Sequence, residues 1–399
     1  MHIAFFSPSW PPGGVANGVV TYVDAMSEEL RRLGHEVSVI TPDGIFDGPS
    51  QERRPIPAGP LDRWRRQFDR LRKETGFAAG KIKRAFADLH RHHPIDIIEM
   101  EETFGWFGEV AKLGIPLVVR LHGPCFRAPI WVDSSRRTRW LRNRERRERH
   151  ALEAARAISS PARLTLEETN AAYRIAAPIQ EVRVNPVRVA SPEESWSAQA
   201  CDPHSLLWVG QFTYAKGADI LLGAFSQLVD QWPDLRLDIV GPDTGIDVEG
   251  QRYRFDDYCA KFLEPGVLER VRMHGLLKPA EIRPMRARAG LTLITSRSEV
   301  FPYILAEAMA SASPVVSTRW GGEQEIIRHG ESGWIARDNS PDAVAALLRE
   351  VLSAPMTARE ICSQGGLAFC KGNLSQAAVV EQALPVYQAA IDAGKSANR

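Results

Sequence analysis

Short apolar runs rich in β-branched residues, each followed by a stretch with apolar residues three and four apart, constrain this chain most, because the alternation runs through one half, stops and restarts. His2–Ser7 reads as a buried strand, and Val19 to Leu33 as a helix that Gly34 ends. Glu36–Thr41, Ile95–Met100 and Pro116–Leu121 follow as strands, with helical patterns near Ile82–Arg91 and Glu109–Leu113 between them. Strands that alternate with helices form a parallel sheet. The second half restarts at Leu206–Val209, and strands recur at Leu235–Val240, Val271–His274, Leu291–Thr295, Val315–Ser317 and Gly333–Ile335. The expected fold is α/β: two doubly wound domains, 1–190 and 204–372, joined by a polar linker at 191–203 and facing one another across a cleft. Such sheets bind ligands outside the carboxyl ends of their strands, so the chemistry is expected in the strand-end loops.

With 399 residues, 44% of them hydrophobic, the chain is long enough to bury two cores. Its 50 Lys+Arg against 49 Asp+Glu leave a net charge of +1, which excludes a globally basic nucleic-acid binder. Five cysteines, an odd set without a C-x-x-C pair, read as reduced thiols in the cytoplasm, not as a disulfide or zinc framework. The segment Met1–Ser7 has too short an apolar run for a secretory signal, and no stretch approaches the roughly 20 apolar residues that span a bilayer.

Five loops carry the candidate chemistry. The first strand runs into P-P-G-G-V at Pro11–Val15, where Gly13 and Gly14 precede a helix and let backbone N–H groups approach an anion. The spacing is not G-x-G-x-x-G, so a nicotinamide cofactor is disfavoured. His122-Gly123 follows the run Pro116–Leu121 and sets an imidazole at a strand's carboxyl end, for a structural or a ligand-binding hydrogen bond. Lys216 stands at a helix start, where the dipole prefers anions; a phosphate or solvent faces it. Glu299 and Glu307 are eight apart, which at about 100° per residue leaves them on different faces of any one helix. Pro302 suits a first helical turn, so Glu299 belongs to the loop and Glu307 to the helix, facing either ligand hydroxyls or water. After Pro314–Ser317, the pair Gly321-Gly322 beside Glu323 repeats the glycine design for a polyhydroxylated ligand carrying phosphate.

Taken in order, P-P-G-G-V, G-H-E-V at Gly34–Val37, H-G at His122–Gly123, V-G-Q-F-x-x-x-K-G from Val209 to Gly217, the Glu299/Glu307 pair and P-V-V-S-T-x-x-G-G from Pro314 to Gly322 resemble the retaining glycosyltransferases of the GT-B fold, and family 4 among them. The resemblance covers most of the chain. It implies two Rossmann-like domains, with the C-terminal segment 373–399 returning as a helix to the first. The second domain would bind a nucleoside-diphosphate sugar and the first the acceptor. Glu307 is assigned to the ribose, Lys216 and Gln211 to the diphosphate, and Glu299 with the backbone around Phe301 and Pro302 to the sugar and its departing phosphate. Gly13 and Gly14 would approach the diphosphate from the first domain, and His122 the sugar, making His122 and Glu299 the catalytic residues. Neither a metal nor a cofactor is implied, since a lysine and helix-terminal amides stabilise a departing diphosphate.

Gln211 stands where such enzymes usually carry an arginine, so either Arg319 or Arg297 substitutes or the donor site is weaker. Ser313 replaces a common glycine, and Asn185-Pro186-Val187-Arg188 stands near the usual N-G-V-D; no function passes to Asn185.

Charge is unevenly placed. Residues 51–93 hold 12 Lys+Arg against 5 Asp+Glu, and 127–150 hold 9 against 3, which gives the first half a basic character suited to anionic lipid or an anionic acceptor. In the first block Trp64, Phe68, Leu71, Phe77, Ile82 and Phe86 recur at roughly helical intervals, as a membrane-facing stripe or an ordinary core face. Arg136–His150 reads as a solvated helix or an anionic acceptor's landing site, and His90, His92 and His93 as a solvated helix end. The expected function is transfer of a hexose from a nucleotide sugar to a cell-envelope saccharide or lipid-linked acceptor, with retention, in the cytoplasm at the inner face of the membrane. The alternatives are a nucleotide-sugar epimerase and a non-catalytic carbohydrate-binding protein.

Overall fold

A computed structural model describes residues 1–12, 17–48, 50–60, 62, 64, 67, 76–127 and 139–397. It divides into two units, Met1–Pro186 with Gln376–Arg399, and Val187–Ser375. The first carries β1 (His2–Phe6), β2 (Glu36–Ile40), β3 (Ile45–Asp47), β4 (Glu52–Arg54), β5 (Ile97–Glu101), β6 (Leu117–Arg120), β7 (Ala157–Ser160) and β8 (Ile179–Val182) in one sheet of order β4-β3-β2-β1-β5-β6-β7-β8. The six strands from β2 to β8 in that order pair in parallel, and β3 and β4 add an antiparallel edge. Every residue of β1 and β5 is buried, as the near-continuous apolar runs of a sheet covered on both faces require. The helix Gly18–Arg32 is capped by Asn17, whose side chain accepts from Val19 N at 2.8 Å, and ends with Arg31 and Arg32, which favour the negative end of the helix dipole.

The helix Gln376–Ala397 belongs to this unit because a buried polar network holds it there. Tyr387 donates to Glu99 Oε2 at 2.8 Å, and the same carboxylate accepts from Tyr22 and, at 3.0 Å, from Arg183. All four side chains are buried, so removing Arg183 leaves the Glu99 charge unpaired in a low dielectric. Asn185 serves this network by accepting from Arg120 at 2.6 Å.

The second unit holds β9 (Asp202–Val209), β10 (Arg236–Val240), a hairpin of β11 (Ile246–Val248) and β12 (Gln251–Tyr253), then β13 (Val271–Met273), β14 (Ala289–Ile294), β15 (Val315–Ser317) and β16 (Trp334–Ile335). Its main sheet is parallel, of order β13-β10-β9-β14-β15-β16. Leu206, Trp208, Phe225 and Leu291 lie in its core.

Three expectations are corrected, and the two readings of the basic block are separated. Residues 191–203 are not a linker: Trp196 is buried with its indole donating to Ala289 O at 2.8 Å, and the second unit already begins at Val187, which bridges Ser375. Of the basic block, Ile82 and Phe86 are core residues, packed with Ile98 and Val119, while Trp64 is exposed; Phe68 and Leu71 lie outside the described residues. The helix Arg139–Glu153 is not solvated all round, since Leu141, Glu148, Ala151 and Leu152 are buried. His93 is no free helix end either. It bonds Glu36 at 2.6 Å and Asp47 at 3.3 Å and stacks on His2 with centroids 3.9 Å apart and planes 23° from parallel. His2, Glu36 and His93 thus gather three donor atoms, but nearly parallel rings do not both aim in-plane lone pairs at one ion.

Candidate active site

In a doubly wound sheet the strand order reverses at one point, and the loops that leave it there diverge and open a crevice. In the second unit that point lies between β9 and β14, and the loops leaving these strands carry Gln211 to Gly217 and Thr295 to Pro302. The two loops are fastened by backbone. Gly217 has φ +67°, and a Cβ there would sit 1.9 Å from Thr295 O. Thr295 in turn accepts from the Trp208 indole at 2.9 Å and lies within hydrogen-bond reach of the Lys216 and Gly217 carbonyls. Only glycine permits this approach.

The fastening brings Lys216 and Glu299 together, Nζ to Oε1 at 2.5 Å, with Ser296 donating to the same oxygen at 2.7 Å. The lysine side chain is 33% exposed, so a ligand reaches the pair from solvent. The helix begins where the proline places it, as Tyr303–Ala310 with Pro302 as its N-cap, and Phe301 and Pro302 are buried. Glu307 lies inside that helix and pairs with Arg286 Nη2 at 2.9 Å. The arginine is buried and the carboxylate 41% exposed, leaving Glu307 open to a further donor.

Neither arginine considered as a substitute at Gln211 is spare. Arg297 makes a two-pronged pair with Asp219 at 2.8 and 2.6 Å and stacks on Tyr214 at 3.5 Å, while Arg319 bonds the Arg337 carbonyl at 2.9 Å and lies 3.5 Å from Glu323. Gln211 itself is exposed. The second glycine pair is also not an open anion seat, because the buried Glu323 carboxylate takes the Trp320 and Gly321 amides at 3.1 and 2.8 Å. Gly13 and Gly14 lie outside the described residues.

The first unit's order reverses between β1 and β5, and a pocket of about 380 Å³ opens there. Its lining includes Phe6 at the end of β1 and Pro8 after it, Glu101 and Thr103 at the end of β5, Phe104 and Trp106, and His122 with Gly123 after β6. The His122 and Gly123 amides are held by Glu102 at 2.9 and 2.6 Å. Burial, followed by the Arg120 and Arg183 charges, holds the His122 imidazole well below its ordinary pKa, so it is neutral near pH 7. Its ring meets Tyr22 edge-on at 5.1 Å. Burial and the adjacent Glu102 push Glu101 up to about 7, and burial beside Glu102 pushes Glu148 up to about 8. Sequence reading missed Glu101, Glu102, Glu148, Phe104, Trp106 and Arg286. One signal was present, the alternation of carboxylates with apolar residues in Ile97-Ile98-Glu99-Met100-Glu101, which buries acids inside a strand.

Two doubly wound domains, each with its polar residues at the reversal point of its sheet, define the GT-B class of glycosyltransferases. This chain resembles glycosyltransferase family 4: the family model "Glycosyltransferase Family 4" matches residues 16–187 and "Glycosyl transferases group 1" matches 194–367. It is 27% identical to a D-inositol 3-phosphate glycosyltransferase of Segniliparus rotundus, over 97% of this chain and 88% of that one. It shares its fold with sucrose-phosphate synthase from Thermosynechococcus elongatus (TM-score 0.75, 20% identity, 98% of this chain and 99% of that one). HepE of Anabaena, solved in complex with UDP and glucose, matches at TM-score 0.67 and 18% identity over 98% of this chain and all of its own.

Proposed function

We propose that this glycosyltransferase moves a hexosyl group from a nucleoside-diphosphate sugar to a saccharide or lipid-linked acceptor of the cell envelope, with retention at the anomeric carbon and without a metal ion. The observation that carries the reading is the meeting of Lys216 and Glu299 across the reversal point of the second sheet. A departing diphosphate gains negative charge as the glycosidic bond breaks, and Lys216 stands at the helix Ala218–Ser226 to receive it. Glu299 orients that ammonium and faces the sugar. Glu307, steadied by Arg286, accepts from the ribose hydroxyls. His122, neutral and at a strand end, offers a hydrogen bond to the reacting sugar without the cost of a second charge. The UDP and glucose bound to HepE, and the phosphorylated cyclitol named for the Segniliparus enzyme, support a nucleotide donor and a hydroxylated acceptor.

No helix among the described residues is long and apolar enough to cross a membrane. The proposed place of action is the cytoplasmic face of the membrane, reached through basic residues of the first unit, at about 1 kcal/mol per Lys or Arg near anionic lipid. The test is incubation with a nucleotide sugar and an envelope-derived acceptor, followed by NMR of the anomeric proton. A new glycoside of unchanged anomeric configuration is expected. Inversion would overturn retention, and conversion of donor to another sugar in the absence of acceptor would identify an epimerase.

A further inference from the structure

The pocket of the first unit is built for one kind of guest. Phe6, Phe104 and Trp106 form an aromatic wall, with Trp106 stacked on Phe104 at 4.8 Å and edge-on to Phe6 at 6.0 Å. Phe104 takes a left-handed backbone, φ +61° and ψ 0°, which a bulky residue adopts only at a cost, and strain of this kind gathers where a side chain must be aimed. Beside the wall stands Glu101, whose carboxylate accepts from Thr103 at 3.0 Å. Trp106 Nε1 is a buried donor with no acceptor among the described residues. The pocket thus offers an acceptor and an apolar face together, at a volume inside the ~300–1,000 Å³ usual for small-molecule sites.

No lysine or arginine lines the pocket among the described residues, and its imidazole is held neutral. The two strand-end amides that would otherwise receive an anion, those of His122 and Gly123, are filled by Glu102. Arg144 is stacked on Phe104 at 4.3 Å and is not part of the lining.

We infer that this pocket seats an uncharged, hydroxyl-bearing ring of the acceptor, with Glu101 accepting a ring hydroxyl and Trp106 fixing the apolar face, and that it excludes a phosphorylated ring. The inference rests on the glycosyltransferase reading above and separates this chain from the relative named for inositol 3-phosphate. The C–H face of a pyranose carries partial positive charge and packs against an aromatic face. A phosphate in the same place would meet a carboxylate and lose its water without replacement.

Saturation-transfer NMR on the full chain tests this. The probes are methyl glycosides of glucose, galactose and mannose together with myo-inositol, each against its phosphorylated counterpart. Above pH 8, where the Glu101 carboxyl is ionised, at least one neutral ring is expected to receive saturation from aromatic protons, to bind about tenfold more weakly in Glu101→Gln, as the loss of one charge-assisted hydrogen bond implies, and about fivefold more weakly in Trp106→Leu, which loses the aromatic face. Tighter binding of a phosphorylated ring, equal binding in both variants, or no neutral ring bound would overturn the inference. The thermal shift given by nucleoside diphosphates is read on the same samples. If it is absent from the wild type, the donor reading fails while the ring result stands by itself; if it is retained in both variants, the loss belongs to the pocket and not to misfolding.

Discussion

In the first unit the strand ends close over the buried carboxyls of Glu101 and Glu102, with Glu148 buried beside them and the rings of Phe104 and Trp106 half-buried. In the second they present half-open ion pairs, Lys216 with Glu299 and Glu307 with Arg286. Both sets stand where the strand order of a doubly wound sheet reverses. Topology fixes where a ligand sits, therefore, and the local burial of charge decides what kind. A carboxylate kept from water beside a second one is pushed toward neutrality and suits hydroxyls. An ammonium left partly in water, on loops that glycine draws close, stands open to an anion.

The sharpest way to break this comparison is at His122. For His122→Ala, turnover should fall by about 10²–10⁴, the usual weight of a positioned imidazole, while nucleotide affinity measured by calorimetry stays the same. A parallel fall in both would merge the two sites into one. Gly217→Ala comes next. Its methyl group meets Thr295 O, so unfolding free energy should drop on the order of 2–4 kcal/mol in urea titrations, together with donor binding. An unchanged midpoint would mean that the two loops are not fastened there. Lys216→Ala should weaken nucleoside-diphosphate binding by about ten- to a hundredfold, and Glu307→Gln by about tenfold. Calorimetry orders them, and a larger effect at Glu307 would reverse the division of labour between phosphate and ribose.

The smallest effect separates the units by pH. Glu101 and Glu148 are acids with folded pKa values raised to about 7 and about 8, above the ordinary carboxyl value of 4.5. The folded state holds these protons more tightly than the unfolded chain, so their stabilisation is complete below about pH 4.5 and is lost as pH rises through 7 and 8. Glu102 raises Glu101 while Thr103 and Arg144 lower it. Protection factors in β5, with the intrinsic base-catalysed rise of amide exchange divided out, should fall between pH 5 and 8.5, and fall less in Glu101→Gln; protection that rises instead would contradict the assignment.

The strands β1, β2, β5, β6, β9, β10 and β13 to β16 were legible because each carries β-branched or other apolar residues bounded by turn or helix signals. The hairpin edge β3–β4 and the strands β7 and β8 were not. Ala157-Ile158-Ser159-Ser160 holds one β-branched residue, and Glu52-Arg53-Arg54 is a strand only through its pairing with β3. Lys216, Glu299 and Glu307 were legible from their places beside glycine, proline and helix starts. Their partners were less so. The Lys216–Glu299 pair joins residues 83 apart in sequence, and Arg286 reaches Glu307 from a different helix, Pro279–Arg288. Glu101, Phe104 and Trp106 became a pocket only when the sheet order set β5 beside β1.

The central claim is that the second unit receives a nucleoside diphosphate between Lys216 and Glu307. The most direct test is thermal unfolding of the full chain with UDP, GDP and ADP in turn, repeated on Lys216→Ala and Glu307→Gln. One nucleotide should raise the midpoint, by an amount equivalent to about 2.7 kcal/mol at a hundred times its Kd, and both variants should reduce that rise. A chain whose midpoint moves with none of the three, or moves equally in both variants and the wild type, would contradict the account.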